Sequence, residues 1–295
     1  IKSESIDILH CHQYTPWSYG ALACIGTKTN VIFTEHGRFH PDYSTFKRKL
    51  INPILAKLTR KITAISQATK EALVNFEFLA PQDIQVIYNG IEPIVINEDK
   101  CNFKNKLRSE LKLNSKTILI GTIARLDPIK NHPMMINTIG QMIKEGHDVH
   151  LLIIGDGETR SSLEKLIHKL GLGKQVTLAG YITSPKLYMN AMDIYWLTSF
   201  SEGTSMTLLE ALSIGKPCVV TNAGGNSEII EHRTNGYVVD IGDRDALAKY
   251  SLKAYAKAKE IKENNKMDFN MKFDSTIMNK QYQTCYAEIT QGRKQ

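Results

Sequence analysis

The sequence lacks any long apolar run and any paired-cysteine motif. No stretch of its 295 residues approaches the roughly 20 consecutive apolar residues of a membrane-spanning helix. The five cysteines are Cys11, Cys24, Cys101, Cys218 and Cys285. They are scattered and odd in number and form no CxxC pair, which predicts reduced thiols in a cytosolic protein. The chain also contains no internal repeat and no low-complexity tract.

An acidic excess is absent as well, since 37 Lys and Arg outnumber 30 Asp and Glu, for a net charge of +7. A basic balance favours anionic partners such as nucleotides, phospholipid surfaces or nucleic acid, and it is equally typical of a merely soluble basic protein. At 42% apolar and 23% charged residues the composition is that of a globular protein, and the length allows two domains.

Short apolar, β-branched runs alternate with helical patterns along the first part of the chain. This alternation is typical of βαβ units, in which helices cover a parallel sheet. The predicted strands are residues 6–10, 31–35, 62–65 and 84–88, and the predicted helices are 16–26, 45–58 and 67–78.

A break follows, where Gly90 and Pro93 precede the polar stretch INEDKCNFKNK. The pattern then restarts, with predicted strands at 117–124, 149–154, 176–179, 193–197, 217–221 and 237–239 and predicted helices at 133–145, 159–170, 184–191, 204–214 and 243–259. In a last helix at 273–289, Tyr282, Cys285 and Ile289 share one face. We expect a first domain over 1–92, a second over 93–272, and a terminal helix over 273–295 that packs back on the first.

Two glutamates bracket the start of one helix in the second domain. Glu202 lies just before the helix begins. Glu210 lies eight positions further on, about 12 Å along the helix axis and on a similar side of the helix. The small residues Gly203, Thr204 and Ser205 permit a close backbone approach, and the N–H groups of a helix start favour an anion. The pair fits an elongated ligand with two sets of hydroxyls, such as a nucleotide-sugar. By itself, however, the spacing favours a dipole-compensating Glu202 and a solvated Glu210.

Two strand ends in the same domain carry further candidates. Arg125 and Lys130 follow the first strand, where a guanidinium and an ammonium suit a diphosphate, although a basic surface loop is the simpler interpretation. The next strand runs into Gly155 and Gly157, half of a dinucleotide fingerprint that has Arg160 in its last position. These glycines are expected to let the loop turn tightly near a ligand.

Together the elements resemble the retaining glycosyltransferases of family 4. The matching motifs are ARLDPIKN, IIGDGE, FSEGTSMTLLEALSIGKPCVVT and NAGGNSEII in the second domain, and ILHCHQYTPWSYG and FTEHGRFHPD in the first. The resemblance covers nearly the whole chain and implies the α/β GT-B fold with two facing Rossmann-like domains. The family's glycine-rich amino-terminal loop has no match, so we expect the first domain to be incomplete and the natural start to lie before Ile1.

The resemblance also implies donor contacts. In the family, the residues matching Arg125 and Lys130 bind the donor diphosphate, the one matching Glu202 contacts the donor sugar, and the one matching Glu210 holds the ribose hydroxyls. The other expected donor contacts are Gly155, Gly157, Tyr181, Ile182, Gly203, Thr204, Ser205, Met206 and Leu209.

For the first domain, the resemblance implies that His12 faces the donor sugar and assists transfer. Glu35 and His36 are expected to shape the acceptor side, and His10 to be structural. The expected catalytic residues are His12, Glu202, Arg125 and Lys130.

The implied reaction moves a sugar from a UDP- or GDP-sugar to a hydroxyl of a glycan or lipid-linked acceptor, with retention of anomeric configuration. No cofactor is expected besides this donor. No metal is expected, because we interpret the D-x-D motif Asp243-Arg244-Asp245 as a helix cap. By resemblance, the pathway is bacterial surface-polysaccharide synthesis in the cytoplasm. The alternatives are a non-catalytic nucleotide-sugar-binding protein or truncated subunit, and a sugar-nucleotide epimerase or phosphorylase on the same fold.

The helix at 45–58 combines an apolar face with cations and no acid. Its apolar residues are Phe46, Leu50, Ile51, Ile54, Leu55 and Leu58, and the basic ones are Lys47, Arg48, Lys49, Lys57, Arg60 and Lys61. Such a segment is typical of peripheral contact with anionic lipid, here at the inner face of the cytoplasmic membrane. The alternative is a core-facing helix with a solvated basic side. Nucleic-acid binding is not expected, because only the net charge favours it.

Overall fold

The structure is a computed structural model that describes residues 1, 3–37, 43–95 and 100–291. Residues 96–99 of the polar stretch and 292–295 of the predicted terminal segment lie outside the described residues. The chain forms two compact α/β units. Unit 1 comprises Ile1–Glu92, Glu202–Thr204 and Lys272–Gln295, and unit 2 comprises Pro93–Ser201 and Ser205–Met271.

Unit 1 contains a parallel sheet of four strands. They are β1 (Ile8–His12), β2 (Asn30–Glu35), β3 (Lys61–Ala64) and β4 (Ile84–Val86), in that order, joined by helices α1 (Tyr14–Ala23), α2 (Phe46–Lys57) and α3 (Gln67–Glu77). Strand β2 is buried along almost its whole length, as expected for an inner parallel strand. Beneath α1, the rings of Trp17 and Phe33 stack with centroids 4.3 Å apart.

Strand β1 begins two residues later than predicted. Its ladder starts at Ile8 opposite Asn30, and the carbonyl of Asp7 accepts a hydrogen bond from the Asn30 amide. The shift places both His10 and His12 inside the strand. Because side chains alternate along a strand, the two histidines lie on the same face of the sheet.

Helix α2 turns its polar side inward, which contradicts the alternative interpretation of a core-facing apolar stripe. Only Asn52 and Leu55 of this helix are buried. The Asn52 amide donates to Oε2 of the buried Glu77 at 2.7 Å, and Arg48 pairs with Oε1 at 2.9 Å. The large apolar residues Phe46, Leu50, Ile51, Ile54 and Leu58 are exposed.

Unit 2 is a doubly wound unit around a six-stranded parallel sheet. Its strands are β5 (Ile118–Ile123), β6 (Val149–Ile154), β7 (Val176–Gly180), β8 (Ile194–Leu197), β9 (Cys218–Thr221) and β10 (Tyr237–Val239). Its helices are α4 (Lys100–Glu110), α5 (His132–Lys144), α6 (Arg160–Lys169), α7 (Lys186–Ala191), α8 (Met206–Ser213), α9 (Asn226–Ile229), α10 (Arg244–Ala256) and α11 (Ala258–Asp268). The strand order is β10-β9-β8-β5-β6-β7, and every residue of β6 is buried.

One helix of this unit was not predicted, and one prediction is wrong. The polar stretch after the predicted break overlaps α4, in which Leu107 is buried and the cations Lys104 and Arg108 both pair with Asp193, at 2.8 and 3.3 Å. The single helix predicted at 243–259 is instead α10 followed by α11, with Lys257 between them in a non-helical conformation.

The last helix, α12 (Ser275–Gln291), belongs to unit 1. Cys285 and Ile289 are buried and Tyr282 is half-buried, as their spacing predicted. Cys11, Cys24, Cys218 and Cys285 are unpaired thiols, and the side chain of Cys101 lies outside the described residues. Among the helices described, none has the length and apolar character to cross a bilayer.

Candidate active site

The second sheet has a topological switch point between β5 and β8, where the strand order reverses. Ligands of open α/β sheets bind at the carboxyl ends of the strands at such a point. Here the loop after β5 and the segment after β8 are hydrogen-bonded to each other. Thr198 Oγ1 donates to the carbonyls of Lys130 and Asn131, both at 3.1 Å, and the Phe200 amide donates to the Ile129 carbonyl at 2.8 Å.

The predicted phosphate-binding cations lie on this β5 loop. Arg125 is exposed and forms an ion pair with Asp127. The other carboxylate oxygen of Asp127 accepts from the Ile129 amide at 3.0 Å, which makes the short turn rigid. Lys130 is half-buried and precedes Asn131, whose φ of 51° is left-handed. The loop therefore presents two cations from an ordered backbone at the switch point.

Gly155 and Gly157 were predicted to lie near a ligand. In the structure, glycine is required at both positions because neighbouring backbone atoms leave no room for a Cβ. Both have positive φ, of 140° and 159°. A Cβ on Gly155 would lie 2.0 Å from the Ala124 carbonyl oxygen, and one on Gly157 would lie 2.5 Å from that of Leu126. The glycines thus allow the loop after β6 to pack against the β5 loop that carries the cations.

The start of α8 rests on a buried hydroxyl network. Ser205 caps the helix by accepting from the Leu208 amide at 3.3 Å. Beneath it, the Tyr195 hydroxyl donates to Thr207 Oγ1 at 2.8 Å, and Thr207 Oγ1 lies 3.2 Å from Ser205 Oγ. Burial raises the pKa of Tyr195, so the hydroxyl stays protonated. This network orients the first N–H groups of α8, a preformed anion-binding feature. The exposed Met206 is the first residue of the helix.

Glu210 occupies a half-buried position about one turn into α8. Burial raises the pKa of its carboxyl group, and the nearby Lys186 acts in the opposite direction. A partly desolvated carboxylate gains from donors such as ligand hydroxyls. Leu209 is fully buried, and its amide donates to the Ser205 carbonyl at 3.1 Å.

Tyr181 and Ile182 follow β7, at the carboxyl edge of the sheet. The Tyr181 ring is 76% exposed and Ile182 is half-buried. An exposed aromatic ring at a strand end is available for stacking on a ligand.

In unit 1 the structure brings His12 and His36 together. Nδ1 of His12 lies 2.7 Å from Nε2 of His36, and burial, then His12, lowers the pKa of His36. The buried Glu35 accepts from the amides of His36 and Gly37, so its carboxylate stabilises this loop. Residues 38–42 of the FTEHGRFHPD motif lie outside the described residues.

Sequence reasoning missed Gln13, which follows β1 with a φ of 72°. A non-glycine residue at positive φ beside candidate catalytic side chains is a known sign of a functional site, and nothing in the local sequence predicts it. The Gln13 amide donates to the Thr34 carbonyl at 2.8 Å, which continues the ladder beyond His12.

The segment Glu202–Thr204 also belongs to unit 1. A Cβ on Gly203 would lie 2.7 Å from the His36 carbonyl oxygen and 3.1 Å from the Gly37 Cα. Thr204 Oγ1 donates to the Ile65 carbonyl at 3.1 Å. The predicted residues therefore fall into two groups. Unit 1 holds His12, Glu35, His36, Glu202, Gly203 and Thr204, and unit 2 holds Arg125, Lys130, Gly155, Gly157, Tyr181, Ile182, Ser205, Met206, Leu209 and Glu210.

The D-x-D motif is a helix cap, as predicted. Asp243 Oδ1 accepts from the Ala246 amide at 2.8 Å at the start of α10, and Asp245 accepts from the Gln141 side chain. Within the described ranges, no three His, Cys, Asp or Glu side chains lie together in a way that could hold a metal ion.

Models of known protein families match both units. The family model described as "Glycosyl transferases group 1" matches residues 103–272, and the one described as "Glycosyltransferase Family 4" matches residues 1–94. The chain is 30% identical over 260 residues to an uncharacterized glycosyltransferase of Methanocaldococcus jannaschii, a match covering 83% of this chain.

It is 27% identical over 260 residues to the UDP-Gal:alpha-D-GlcNAc-diphosphoundecaprenol alpha-1,3-galactosyltransferase of Escherichia coli, again covering 83% of the chain. The chain spans 65% of the length of each of these two relatives. Among solved structures, Anabaena HepE in complex with UDP matches with a TM-score of 0.86 and 22% identity, over 97% of this chain and 80% of HepE. At this identity the likeness shows a shared fold.

Proposed function

The chain belongs to the family of glycosyl transferases group 1, and on that premise we propose that it moves a sugar from a nucleotide-diphosphate donor to an acceptor hydroxyl. The observation that carries the proposal is the switch point of the second sheet, where the Lys130 loop is hydrogen-bonded to the segment that leads to α8. The donor is a UDP- or GDP-sugar, and the UDP complex of HepE makes UDP the first nucleotide to test.

In the proposed complex, Arg125 and Lys130 bind the diphosphate, Glu202 contacts the sugar, and Glu210 accepts hydrogen bonds from the ribose hydroxyls. The half-burial of Glu210 supports its role, because ligand hydroxyls would restore the hydrogen bonds that its carboxylate has lost from water. The further proposed contacts are Gly155, Gly157, Tyr181, Ile182, Gly203, Thr204, Ser205 and Met206. Leu209 is a proposed contact as well.

The proposed transfer retains the anomeric configuration, as in the glycosyltransferases of family 4 that the motifs resemble. Negative charge grows on the leaving phosphate, and Arg125, Lys130 and the start of α8 stabilise it. That phosphate takes the proton of the acceptor hydroxyl while the new bond forms on the same face of the sugar. His12 assists at the sugar. Because the chain's own cations supply the positive charge, we propose that neither a metal nor a cofactor is required.

The acceptor we propose is a glycan or lipid-linked saccharide in bacterial surface-polysaccharide synthesis, at the cytoplasmic side of the membrane. The support is the Escherichia coli relative, whose name specifies a diphosphoundecaprenol-linked acceptor. His36 is the candidate residue on the acceptor side, held in place by Glu35.

The test is calorimetric titration of the protein with UDP and with GDP, followed by transfer assays with the matching nucleotide-sugars. One nucleotide should bind saturably. Glu210→Gln should weaken it about tenfold or more, because a hydrogen bond to a charged group contributes about 1.5–3 kcal/mol. The control is Glu263→Gln, which removes an exposed carboxylate of the same unit. If neither UDP nor GDP binds, the proposal is rejected. Saturable binding without transfer would favour a non-catalytic binding protein.

We further propose that α2 rests on an anionic membrane surface. Five large apolar side chains of this region are exposed: Phe46 by 74%, Leu50 by 57%, Ile51 by 48%, Ile54 by 62% and Leu58 by 39%. Lys47, Lys49 and Lys57 are exposed on the same helix, which has no acidic residue. Apolar side chains interspersed with lysines match the boundary between lipid tails and anionic headgroups.

Co-sedimentation with vesicles of phosphatidylcholine, with and without phosphatidylglycerol, tests this surface. The protein should bind the anionic vesicles and be released by salt. Leu50→Ser with Ile54→Ser should weaken binding at least about tenfold, since burial of either side chain contributes about 1 kcal/mol or more. Met267→Ser with Met271→Ser, which removes exposed apolar side chains elsewhere, should leave binding unchanged. Equal binding to neutral and anionic vesicles would contradict the proposal.

A further inference from the structure

A tyrosine of the carboxyl-terminal helix contacts the histidine beside His12. Within unit 1, the Tyr286 hydroxyl of α12 lies 2.8 Å from Nδ1 of His10, and Nε2 of His10 lies 2.6 Å from Oγ1 of Thr34. The rings of His10 and His12 stack on one face of β1 with centroids 4.2 Å apart. His10, which was expected to be structural, therefore links α12 to His12.

The hydrogen bonds around Thr34 determine which nitrogen of His10 carries the proton. Thr63 Oγ1 donates to the Phe33 carbonyl at 3.3 Å, which uses its single proton. Thr34 Oγ1, 2.5 Å from Thr63 Oγ1, is then the donor in that pair. Having no second proton, Thr34 accepts from Nε2–H of His10. A neutral His10 therefore has an unprotonated Nδ1, which accepts from the Tyr286 hydroxyl.

The protonation states of both groups agree with this direction. Burial is the largest effect that lowers the pKa of His10 to about 4, followed by the charges of His12 and His36, so the ring is neutral near pH 7. Burial is also the largest effect that raises the pKa of Tyr286, so the hydroxyl keeps its proton. The Tyr286 hydroxyl is therefore the donor and Nδ1 of His10 the acceptor in this hydrogen bond.

The plane of His10 affects His12 because the two rings are in contact. His12 uses Nδ1 in its 2.7 Å bond to His36, and in the described part of the chain no residue is hydrogen-bonded to its Nε2. Two neighbours therefore orient the ring, His36 through a hydrogen bond and His10 through stacking. Where Nε2 points depends on the His10 plane, which Tyr286 and Thr34 hold from opposite sides.

We propose that Tyr286 is a positioning residue for His12 and acts through His10. The inference rests on the proposed function, in which His12 assists sugar transfer. Without the Tyr286 hydroxyl, Nδ1 of His10 loses its donor, and the ring can turn or change tautomer. Tyr286→Phe is expected to lower kcat about threefold to tenfold, the range of one lost hydrogen bond, with the KM for the donor and the Kd for the nucleotide unchanged.

Imidazole ¹H–¹⁵N spectra of the full chain provide a readout besides activity. The wild-type spectrum should show His10 as the Nε2–H tautomer, and Tyr286→Phe should change the signals of both His10 and His12. Tyr282→Phe is the matched control on the same helix. Its hydroxyl lies 3.4 Å from Thr34 Oγ1 and is not bonded to a nitrogen of His10, so the spectrum should change little.

An unchanged imidazole spectrum in Tyr286→Phe would overturn the inference, whether or not the protein transfers sugar. An equal loss of kcat in both tyrosine variants would also overturn it, because that result indicates general loosening of α12. If the wild-type protein binds neither UDP nor GDP, the proposed function fails instead. The spectra then decide by themselves whether Tyr286 orients the two histidines.

Discussion

The close approach of Gly155 to the end of β5 predicts how much stability the substitution Gly155→Ala should cost. A Cβ at this position would lie 2.0 Å from the Ala124 carbonyl oxygen and 2.9 Å from its carbon. Backbone atoms cannot rotate away as a side chain can, so Gly155→Ala must move one loop from the other. Three of the backbone hydrogen bonds there involve Gly155 or one of its chain neighbours. The amides of Ala124, Leu126 and Gly155 donate to Ile154, Asp156 and Gly180, at 3.0, 3.0 and 2.8 Å.

The cost follows from these contacts. Weakening two of the three hydrogen bonds costs about 2 kcal/mol. Placing an alanine at a φ of 140° adds about 1–3 kcal/mol. Gly155→Ala should therefore destabilise unit 2 by about 3–5 kcal/mol, which lowers its urea midpoint by more than about 1 M at a slope of about 3 kcal/mol per M.

Two other glycines of unit 2 separate the steric cause from the conformational one. Gly171 has a φ of 68° but nothing within 4 Å of a Cβ, so Gly171→Ala should cost about 1–2 kcal/mol. Gly173 has neither constraint, and Gly173→Ala should be neutral or slightly stabilising. Urea titrations followed by circular dichroism rank the three. If Gly155→Ala costs no more than Gly171→Ala, the close approach does not constrain this loop and the reasoning fails.

Three shorter predictions concern buried polar groups of unit 2. Burial lowers the pKa of His150 to about 4, below its unfolded value of 6.5, so the folded state loses stability as the pH falls from 6.5 toward 4. The stability lost between pH 7 and pH 5, measured by urea titration, should therefore be about 2 kcal/mol smaller in His150→Gln. Asp193→Asn leaves the half-buried Arg108 without its carboxylate and should cost about 3 kcal/mol in the same assay, whereas Glu110→Gln at an exposed pair should cost under about 0.5 kcal/mol. Tyr195→Phe removes a buried, hydrogen-bonded hydroxyl and should cost about 1–2 kcal/mol, with nucleotide affinity reduced if the start of α8 loosens.

Much of the fold could be predicted because it depends on local patterns. Buried parallel strands are continuous apolar runs, and the predictions for Val149–Ile154 and Tyr237–Val239 match the structure residue for residue. The prediction of two α/β units with parallel sheets is confirmed. Helix α4 could not be predicted, because its stability depends on Asp193, more than 80 residues away in the sequence.

For the candidate site, the sequence predicted residue types and strand ends, and their roles remain predictions. The geometry that supports them came from pairings between distant residues. Thr198 binds the carbonyls of the Lys130 loop, and His12 and His36 come together because β1 and β2 are neighbours in one sheet. The positive φ of Gln13 and the contact of Tyr286 with His10 have no counterpart in any local motif.

Helix α2 separates what the sequence determined from what only the tertiary structure decided. The periodicity determined that this segment is a helix with one apolar stripe, because the spacing of apolar residues is a property of the segment alone. The direction of that stripe depends on Glu77, which lies on α3 and is buried. Its carboxylate binds Arg48 and Asn52, and this holds the polar side of α2 against the unit and the apolar stripe toward solvent. Pairing the buried carboxylate contributes more to stability than burying the apolar stripe would, because an unpaired charge in the interior costs several kcal/mol.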